Sequence, residues 1–329
     1  MVDAVGRTRA QGGTLGAVSG VPIIVIAGTT ASGKTAAAVR LARLLDGEIV
    51  GADSIQVYHR LDIGSAKPTR DELDGVPHHM LDRVNIDQPY DAGRYMREAD
   101  EAIAGIRARG RVPIVAGGTG MYLRALVRGL AAGLPRDAGL RAELNARAAV
   151  SAQELARMHA ELAESDPVYA AKIHATDPIR IVRALEVLAL TGEPISAHHG
   201  RHAVLADRYR ARRLVLDVPT NVVRERIAAR SETMLARGWV DEVRAILADG
   251  YARDAKPLQS VGYAQVVANV LGHATLDDTL ASVRRETVAF ARRQRTWFRG
   301  ERTMEWVRPE VLLGDEFVAG LREHMGRQG

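Results

Sequence analysis

The run Gly28-Thr-Thr-Ala-Ser-Gly-Lys-Thr35 constrains this chain more than any other feature. It matches G-x-x-x-x-G-K-[ST] at every fixed position, and its flanks supply the context that the pattern requires. Val21-Pro-Ile-Ile-Val-Ile-Ala27 before it is continuous, apolar and β-branched, the mark of a strand buried on both faces of a parallel sheet. After it, the pattern predicts a helix from Lys34 to Asp46 ended by Gly47. The glycines let backbone N–H groups curl round an anion without Cβ clashes, and the helix N-terminus adds partial positive charge. Lys34 neutralises terminal phosphate oxygens, and the Thr35 hydroxyl is placed to ligate Mg²⁺. Gly28, Thr29, Thr30, Ala31, Ser32, Gly33, Lys34 and Thr35 therefore read as a phosphate-binding loop. By itself such a loop suits ATPases, small-molecule kinases and transferases whose leaving group is a di- or triphosphate.

The remaining pattern predicts an α/β fold, a P-loop NTPase-like parallel sheet flanked by helices. Residues 48–52 form a second strand ending at Asp53, Val112 to Ala116 a third ending in Gly117-Gly-Thr-Gly120, and Arg213 to Val218 a fourth. Tyr95, Ala99, Ile103 and Ile106 mark one face of a helix closed by Gly110. Between 136 and 205 only helical signals occur. Ser151 with Glu154 is a capping-box signature, and Thr176-Asp177-Pro178 opens a helix that ends at Gly192. This stretch is expected to be an all-helical insertion domain in a catalytic core of 21–135 and 206–329. Residues 1–20, rich in glycine and small residues, are expected to be a disordered arm.

Composition narrows the classes further. With 329 residues, 47% hydrophobic, the chain supports one large core and a smaller satellite. Its 45 Lys and Arg against 40 Asp and Glu permit a nucleic-acid partner without demanding one. Absence of cysteine excludes disulfides, thiolate metal sites and Cys nucleophiles. The longest apolar run, Val21 to Ala27, is too short to span a bilayer, and the N-terminus lacks a signal-peptide core. No membrane association is expected, and the cytoplasm is the expected location. A monomer is expected, because no coiled-coil seam is evident.

Ligands of open parallel sheets gather at the carboxyl ends of the strands, so Asp53 and Thr119 converge on the loop. Asp53 reads as a proton acceptor, a Mg²⁺ contact or a turn residue. The Thr119 hydroxyl and flanking N–H groups suit a phosphate, the alternative being a structural turn. Asp217, inside an apolar run, is assigned a structural role. His78 and His79 are adjacent, so their side chains diverge on an extended segment and are assigned packing or hydrogen-bonding roles.

A series of motifs carries a family likeness. The phosphate loop is followed by Asp53-Ser-Ile-Gln-Val-Tyr58, Asp62-Ile-Gly-Ser-Ala-Lys-Pro68, Val76-Pro-His-His-Met-Leu-Asp82 and Gly117-Gly-Thr-Gly-Met-Tyr122. Asp177-Pro-Ile-Arg-Ile-Val-Arg-Ala-Leu-Glu-Val187, Val261-Gly-Tyr263 and Arg292-Arg-Gln-Arg-Thr-Trp-Phe298 come next. From about residue 22 to 300 the chain resembles the tRNA dimethylallyltransferases, also called tRNA isopentenylpyrophosphate transferases. The resemblance implies transfer of a dimethylallyl group from dimethylallyl pyrophosphate to N6 of adenosine 37 of tRNA, beside the anticodon. The tRNAs concerned read codons beginning with U. It also implies a Mg²⁺ requirement and a P-loop that holds pyrophosphate.

The same resemblance implies roles for residues. Asp53 is the general base. Lys34, Thr35 with Mg²⁺, the loop amides, Thr119 and an arginine stabilise the leaving pyrophosphate. That arginine lies in Arg224-Glu-Arg-Ile-Ala-Ala-Arg230; Arg230 is selected, with Arg226 one turn away on the same face. The implied contacts to the tRNA anticodon stem-loop are Asp53, Ser54, Ile55, Gln56, Thr119, Arg141, Ile179, Arg180, Ile181, Val182, Arg183, Gln259, Ser260, Val261, Gly262, Tyr263 and Ala264. Arg284, Arg285, Arg292, Arg293, Arg295 and Arg299 on the last long helix are candidates for RNA phosphates. Thr29 stands where the family commonly has Pro, and Ala264 where a basic residue is frequent. No Cys/His zinc finger of the eukaryotic type follows, so a bacterial form is expected. The alternatives are an adenylate isopentenyltransferase acting on free AMP, ADP or ATP, a P-loop small-molecule kinase, and a non-enzymatic RNA-binding protein. The helical insertion and its arginines favour tRNA.

Overall fold

The computed structural model describes residues 20–130, 134–203 and 206–326. The arm expected at 1–20 lies outside the described residues apart from Gly20. Six strands form one sheet: β1 (Pro22–Ala27), β2 (Gly47–Ala52), β3 (His78–His79), β4 (Val112–Gly117), β5 (Arg210–Leu216) and β6 (Glu305–Val307). Their spatial order is β3-β2-β4-β1-β5-β6, and every pairing is parallel. The expected parallel sheet flanked by helices is therefore present.

The composition of β1 follows from its place in the middle of the sheet. Ile23, Val25 and Ala27 enter one apolar cluster, whereas Ile24 and Ile26 enter the cluster on the opposite face. Both faces are covered by helices, so no polar position is tolerated and the run reads as unbroken. Some boundaries differ from expectation. The first helix is Lys34–Leu45, and Asp46, not Gly47, takes the left-handed cap at φ 51°. Asp tolerates that conformation better than most residues, which frees Gly47 to begin β2. The fourth expected strand occupies Arg210–Leu216 rather than 213–218, because Pro22 of β1 already pairs with Arg210. Strands β3 and β6, with two and three residues, are too short for periodicity to reveal.

Register aligns the strand ends. Ala27 pairs with Gly117, and Gly117 pairs with Ala52. The adjacent strands β2, β4 and β1 therefore stop level with one another. Whatever follows each of them emerges on the same edge: the phosphate loop after β1, Asp53 after β2 and Gly118-Thr119 after β4. Gly117 makes this alignment possible, since a Cβ there would stand 2.1 Å from the Ala52 carbonyl oxygen.

Residues between β4 and β5 include helices Ala138–Val150, Ala152–Ser165, Pro167–Ala170, Pro178–Thr191 and Ile195–Ala203. They enclose an apolar cluster of their own that includes Met158, Leu162, Ile181, Val182 and Val187. Their caps follow from sequence. Ser151 accepts from the Glu154 N–H, and Asp177 accepts from the Arg180 N–H ahead of Pro178 in the first turn. Glu186 is fully buried and accepts from Arg141 and, at 2.6 Å, from Arg183. Arg183 also donates to the Pro135 carbonyl at 2.9 Å, which ties the third long helix to the chain's entry into the helical segment.

Gly117→Ala should lower the free energy of unfolding by about 3 kcal/mol or more, since backbone meets backbone at that position. The expected reading is a lower urea midpoint at unchanged slope.

Candidate active site

At the level strand ends lies a cavity of about 430 Å³. Thr30, Lys34, Thr35, Asp53, Ser54, Ile55, Gln56, Thr119, Arg230, Gln259, Ser260, Val261 and Tyr263 all line it. Residues separated by more than two hundred positions, Thr30 and Tyr263 among them, meet here because parallel strands deliver their loops to one edge.

The phosphate side is cationic. Ala31 at φ 59° and Gly33 at φ 84° bend the loop into a concave nest. Among the described residues, the N–H groups of Ala31, Gly33, Lys34 and Thr35 have no acceptor. Lys34 Nζ donates to the Thr29 carbonyl at 3.2 Å. Burial lowers its pKa to about 8; the Asp53 charge opposes that shift and Arg230 adds to it. Arg230 donates to the Thr30 hydroxyl, and burial shifts its pKa down against the pull of Asp53. Arg226 reaches the Ser32 carbonyl at 3.4 Å. Two desolvated cations thus face one carboxylate and a row of free N–H groups, an arrangement that a bound polyanion completes.

On the other side, Asp53 Oδ1 accepts from the N–H groups of Ile55 at 2.9 Å and Gln56 at 3.3 Å. This fixes the carboxylate and leaves Oδ2 without a partner among the described residues. The Thr119 hydroxyl accepts from the Ser54 N–H at 3.0 Å, so the loops after β4 and β2 are linked directly. Gln56 donates its amide to the carbonyls of Ser65 (3.0 Å) and Ala66 (3.1 Å), closing the loop at 63–66. Tyr263 is buried; its hydroxyl donates to Glu242 at 2.8 Å, and burial with that carboxylate raises its pKa. Glu242 also accepts from the Ile63 N–H at 2.7 Å, and the Trp239 ring meets Tyr263 edge-on at 5.6 Å.

Asp53 is the sole carboxylate lining the cavity, and no three His, Asp or Glu side chains among the described residues group to hold a metal. Thr35 with phosphate oxygens suits Mg²⁺, which keeps waters and takes few protein ligands.

The structure also separates the other expected residues. Gly28, Thr29, Ala31, Ser32 and Gly33 frame the loop without lining the cavity, and Gly262 and Ala264 flank its wall. Arg141, Ile179, Arg180, Ile181, Val182 and Arg183 belong to the helical segment and do not line it. Ile181 and Val182 are buried there, and Arg141 and Arg183 turn to Glu186. Ile179, 80% exposed, and Arg180, whose ion pair among the described residues is with its own cap Asp177, present their side chains outward. Asp217 engages Arg295 at 2.8 Å, His78 the Val76 carbonyl and His79 the Glu48 carboxylate. Arg284 pairs with Glu232 and Arg285 with Glu286, whereas Arg292, Arg293 and Arg299 have no ion pair among the described residues. Three functional neighbours escape sequence reasoning: Glu242, Trp239 and Gln294. None stands in a spacing pattern that signals a site, although Gln294 falls within the quoted Arg292 to Phe298 motif.

The model of the family described as IPP transferase matches residues 56–301. The chain belongs to the IPP transferase family. It is 49% identical over 293 residues to a tRNA dimethylallyltransferase of Anaeromyxobacter, covering 89% of this chain and 96% of that protein. It is 43% identical over 301 residues to one from Syntrophobacter fumaroxidans, covering 92% and 85%. A crystal structure of a tRNA isopentenylpyrophosphate transferase from Bacillus halodurans superposes with a TM-score of 0.68 at 32% identity, over 93% of this chain and 98% of that one. A eukaryotic dimethylallyltransferase acting on tRNA gives a TM-score of 0.74 at 25% identity, over 92% and 77%. In this IPP transferase family member the Arg292 to Phe298 motif lies on the helix Leu276–Gly300, against the phosphate loop.

Anion binding should report the Lys34 pKa. The ammonium must be charged to hold an anion, so pyrophosphate affinity should weaken as pH rises through about 8 relative to Lys34→Met. Calorimetric titrations of both proteins across that range check this.

Proposed function

We propose that this protein transfers a dimethylallyl group from dimethylallyl pyrophosphate to N6 of adenosine 37 of tRNA, releasing pyrophosphate. The carrying observation is the convergence of the phosphate loop, Arg230, Thr119 and Asp53 on one cavity. The names of the relatives agree with this reading.

The adenine amino group is a poor nucleophile, because its lone pair is delocalised into the ring. The allylic carbon compensates by developing positive charge as its bond to the pyrophosphate oxygen breaks. The task of the site is then to stabilise charge on the leaving group. Lys34, Arg230 and the free loop N–H groups surround that position, and Thr119 borders it. Mg²⁺, held by Thr35 and phosphate oxygens, supplies further neutralisation when bound. As the N6–C bond forms, the N6 proton becomes acidic, and the unpartnered Oδ2 of Asp53 accepts it. Carbon transfer, departure of pyrophosphate and loss of one proton balance the reaction.

A base must leave the anticodon-loop stack to reach such a cavity. Gln259, Ser260, Val261 and Tyr263 line the same cavity as the phosphate loop and are assigned to that base. The helical segment at 136–205 is assigned to grip the tRNA, with Ile179 and Arg180 as the side chains placed to touch it. Of the candidates on the last long helix, Arg292, Arg293 and Arg299, without an ion pair among the described residues, are assigned to RNA phosphates. No helix among the described residues is long and apolar enough to cross a membrane. A tRNA substrate supports a cytoplasmic location.

Incubation with labelled dimethylallyl pyrophosphate, Mg²⁺ and either unmodified tRNA or AMP tests the reading. Label should appear on tRNA, and label on AMP alone would overturn it. In the same assay Asp53→Asn, which keeps an acceptor for the Ile55 and Gln56 N–H groups, should lose about 10²- to 10⁴-fold in turnover. Its tRNA affinity should persist. Near-normal turnover would remove Asp53 as the base. Arg180→Ala should weaken tRNA binding and reduce the salt slope by about one. Arg183→Ala should instead lower thermal stability, because it leaves buried Glu186 short of a partner.

A further inference from the structure

We propose that Gln294 is a positioning residue for the donor's pyrophosphate, its amide setting the separation between the phosphate loop and the Thr119 loop. The proposal rests on the reading of the P-loop as the pyrophosphate site.

Gln294 is buried on the helix Leu276–Gly300, far in sequence from both loops. Its Oε1 accepts from the Thr30 N–H at 2.7 Å, and its Nε2 donates to the Gly118 carbonyl at 3.0 Å. One partner is a donor and the other an acceptor, so the orientation of the amide is determined by its neighbours. At neutral pH, among side chains of this length, glutamine offers both functions without charge, whereas glutamate is an ionised acceptor.

Each bond has a local consequence. Thr30 is the residue whose hydroxyl receives Arg230, so holding its backbone also holds the loop segment that Arg230 contacts. The bond also occupies the Thr30 N–H, leaving those of Ala31, Gly33, Lys34 and Thr35 for the anion. Across the site, Gly118 precedes Thr119, whose hydroxyl meets the Ser54 N–H. A Cβ on Gly118 would lie 2.5 Å from Gln294 Nε2, so glycine permits this approach. One turn along the helix, Trp297 Nε1 would lie 2.2 Å from a Cβ on Gly120. The helix thus rests directly on both residues that flank Thr119. Val283, Thr287 and Phe290 continue the Gln294 face along the cavity at helical spacing. Gln294 acts on the two loops it bonds, and among the described residues it makes no hydrogen bond to Gln259, Ser260, Val261 or Tyr263, which line the same cavity.

The test compares the full-length unaltered protein with Gln294→Leu and Gln294→Glu. Calorimetry measures the Kd for pyrophosphate with Mg²⁺, filter binding the Kd for tRNA, steady-state kinetics the KM for dimethylallyl pyrophosphate, and circular dichroism the Tm. Both variants should raise the pyrophosphate Kd and the donor KM by about 10- to 100-fold, the effect of leaving buried partners unsatisfied. Their tRNA Kd should stay within about twofold. Gln294→Glu should regain pyrophosphate affinity relative to Gln294→Leu as pH falls towards about 5, because a protonated carboxyl again donates to Gly118. If Gln294→Leu does not fold, this pH response of Gln294→Glu against the unaltered protein carries the test. Unchanged pyrophosphate affinity in Gln294→Glu, or equal losses for pyrophosphate and tRNA, would overturn the proposal. No pyrophosphate binding by the unaltered protein would overturn the P-loop reading and this proposal with it.

Discussion

Three strands that end level with one another organise this molecule. The pairing of Ala27 with Gly117, and of Gly117 with Ala52, brings β1, β4 and β2 to a common edge. The missing side chain at 117 lets the backbones meet there. A shift of one residue in β4 would move Thr119 out of reach of Ser54 and carry its neighbour away from Gln294. Because a slip also reverses which side chains face each core, the two apolar clusters on either side of the sheet defend the same register that the site needs.

Electrostatics divides the cavity in two. On one side, burial leaves Lys34 and Arg230 poorly solvated among loop N–H groups that lack acceptors. On the other, Asp53 is held by two N–H groups with one oxygen free. Such a site suits an anion beside Lys34 and Arg230 and a proton donor beside Asp53. The helical segment stands apart from this chemistry. It has its own apolar cluster and its own buried charge, Glu186, which organises Arg141 and Arg183 internally.

Legibility followed range. The phosphate loop, the buried character of β1 and the caps at Ser151, Asp177 and Gly192 are local, and residues a few positions apart decide them. The convergence of Asp53 and Thr119 could be anticipated because parallel strands deliver their loops to one edge. Edge strands β3 and β6 were invisible, since two or three residues carry no period. Gln294 and Glu242 were invisible as site-builders for another reason: each works by accepting or donating to backbone groups in a distant segment, and the side chain itself looks like any polar residue on a helix.

By itself, the sequence determined that a parallel α/β sheet would present a phosphate loop, because that motif is a local backbone shape written in glycine, lysine and threonine. Its ordered motifs pointed to the family. Only the tertiary structure decided which of the expected contact side chains are bound internally and which are exposed. Arg183 and Arg180 lie three residues apart on one helix with the same charge, yet one is bound to buried Glu186 and the Pro135 carbonyl and the other points outward. The phosphate loop shows the same division. Its sequence specifies which N–H groups can meet an anion, but Gln294, arriving from the far end of the chain, removes the Thr30 N–H from that set. Burial and long-range hydrogen bonding made these choices, and neither is encoded in local spacing.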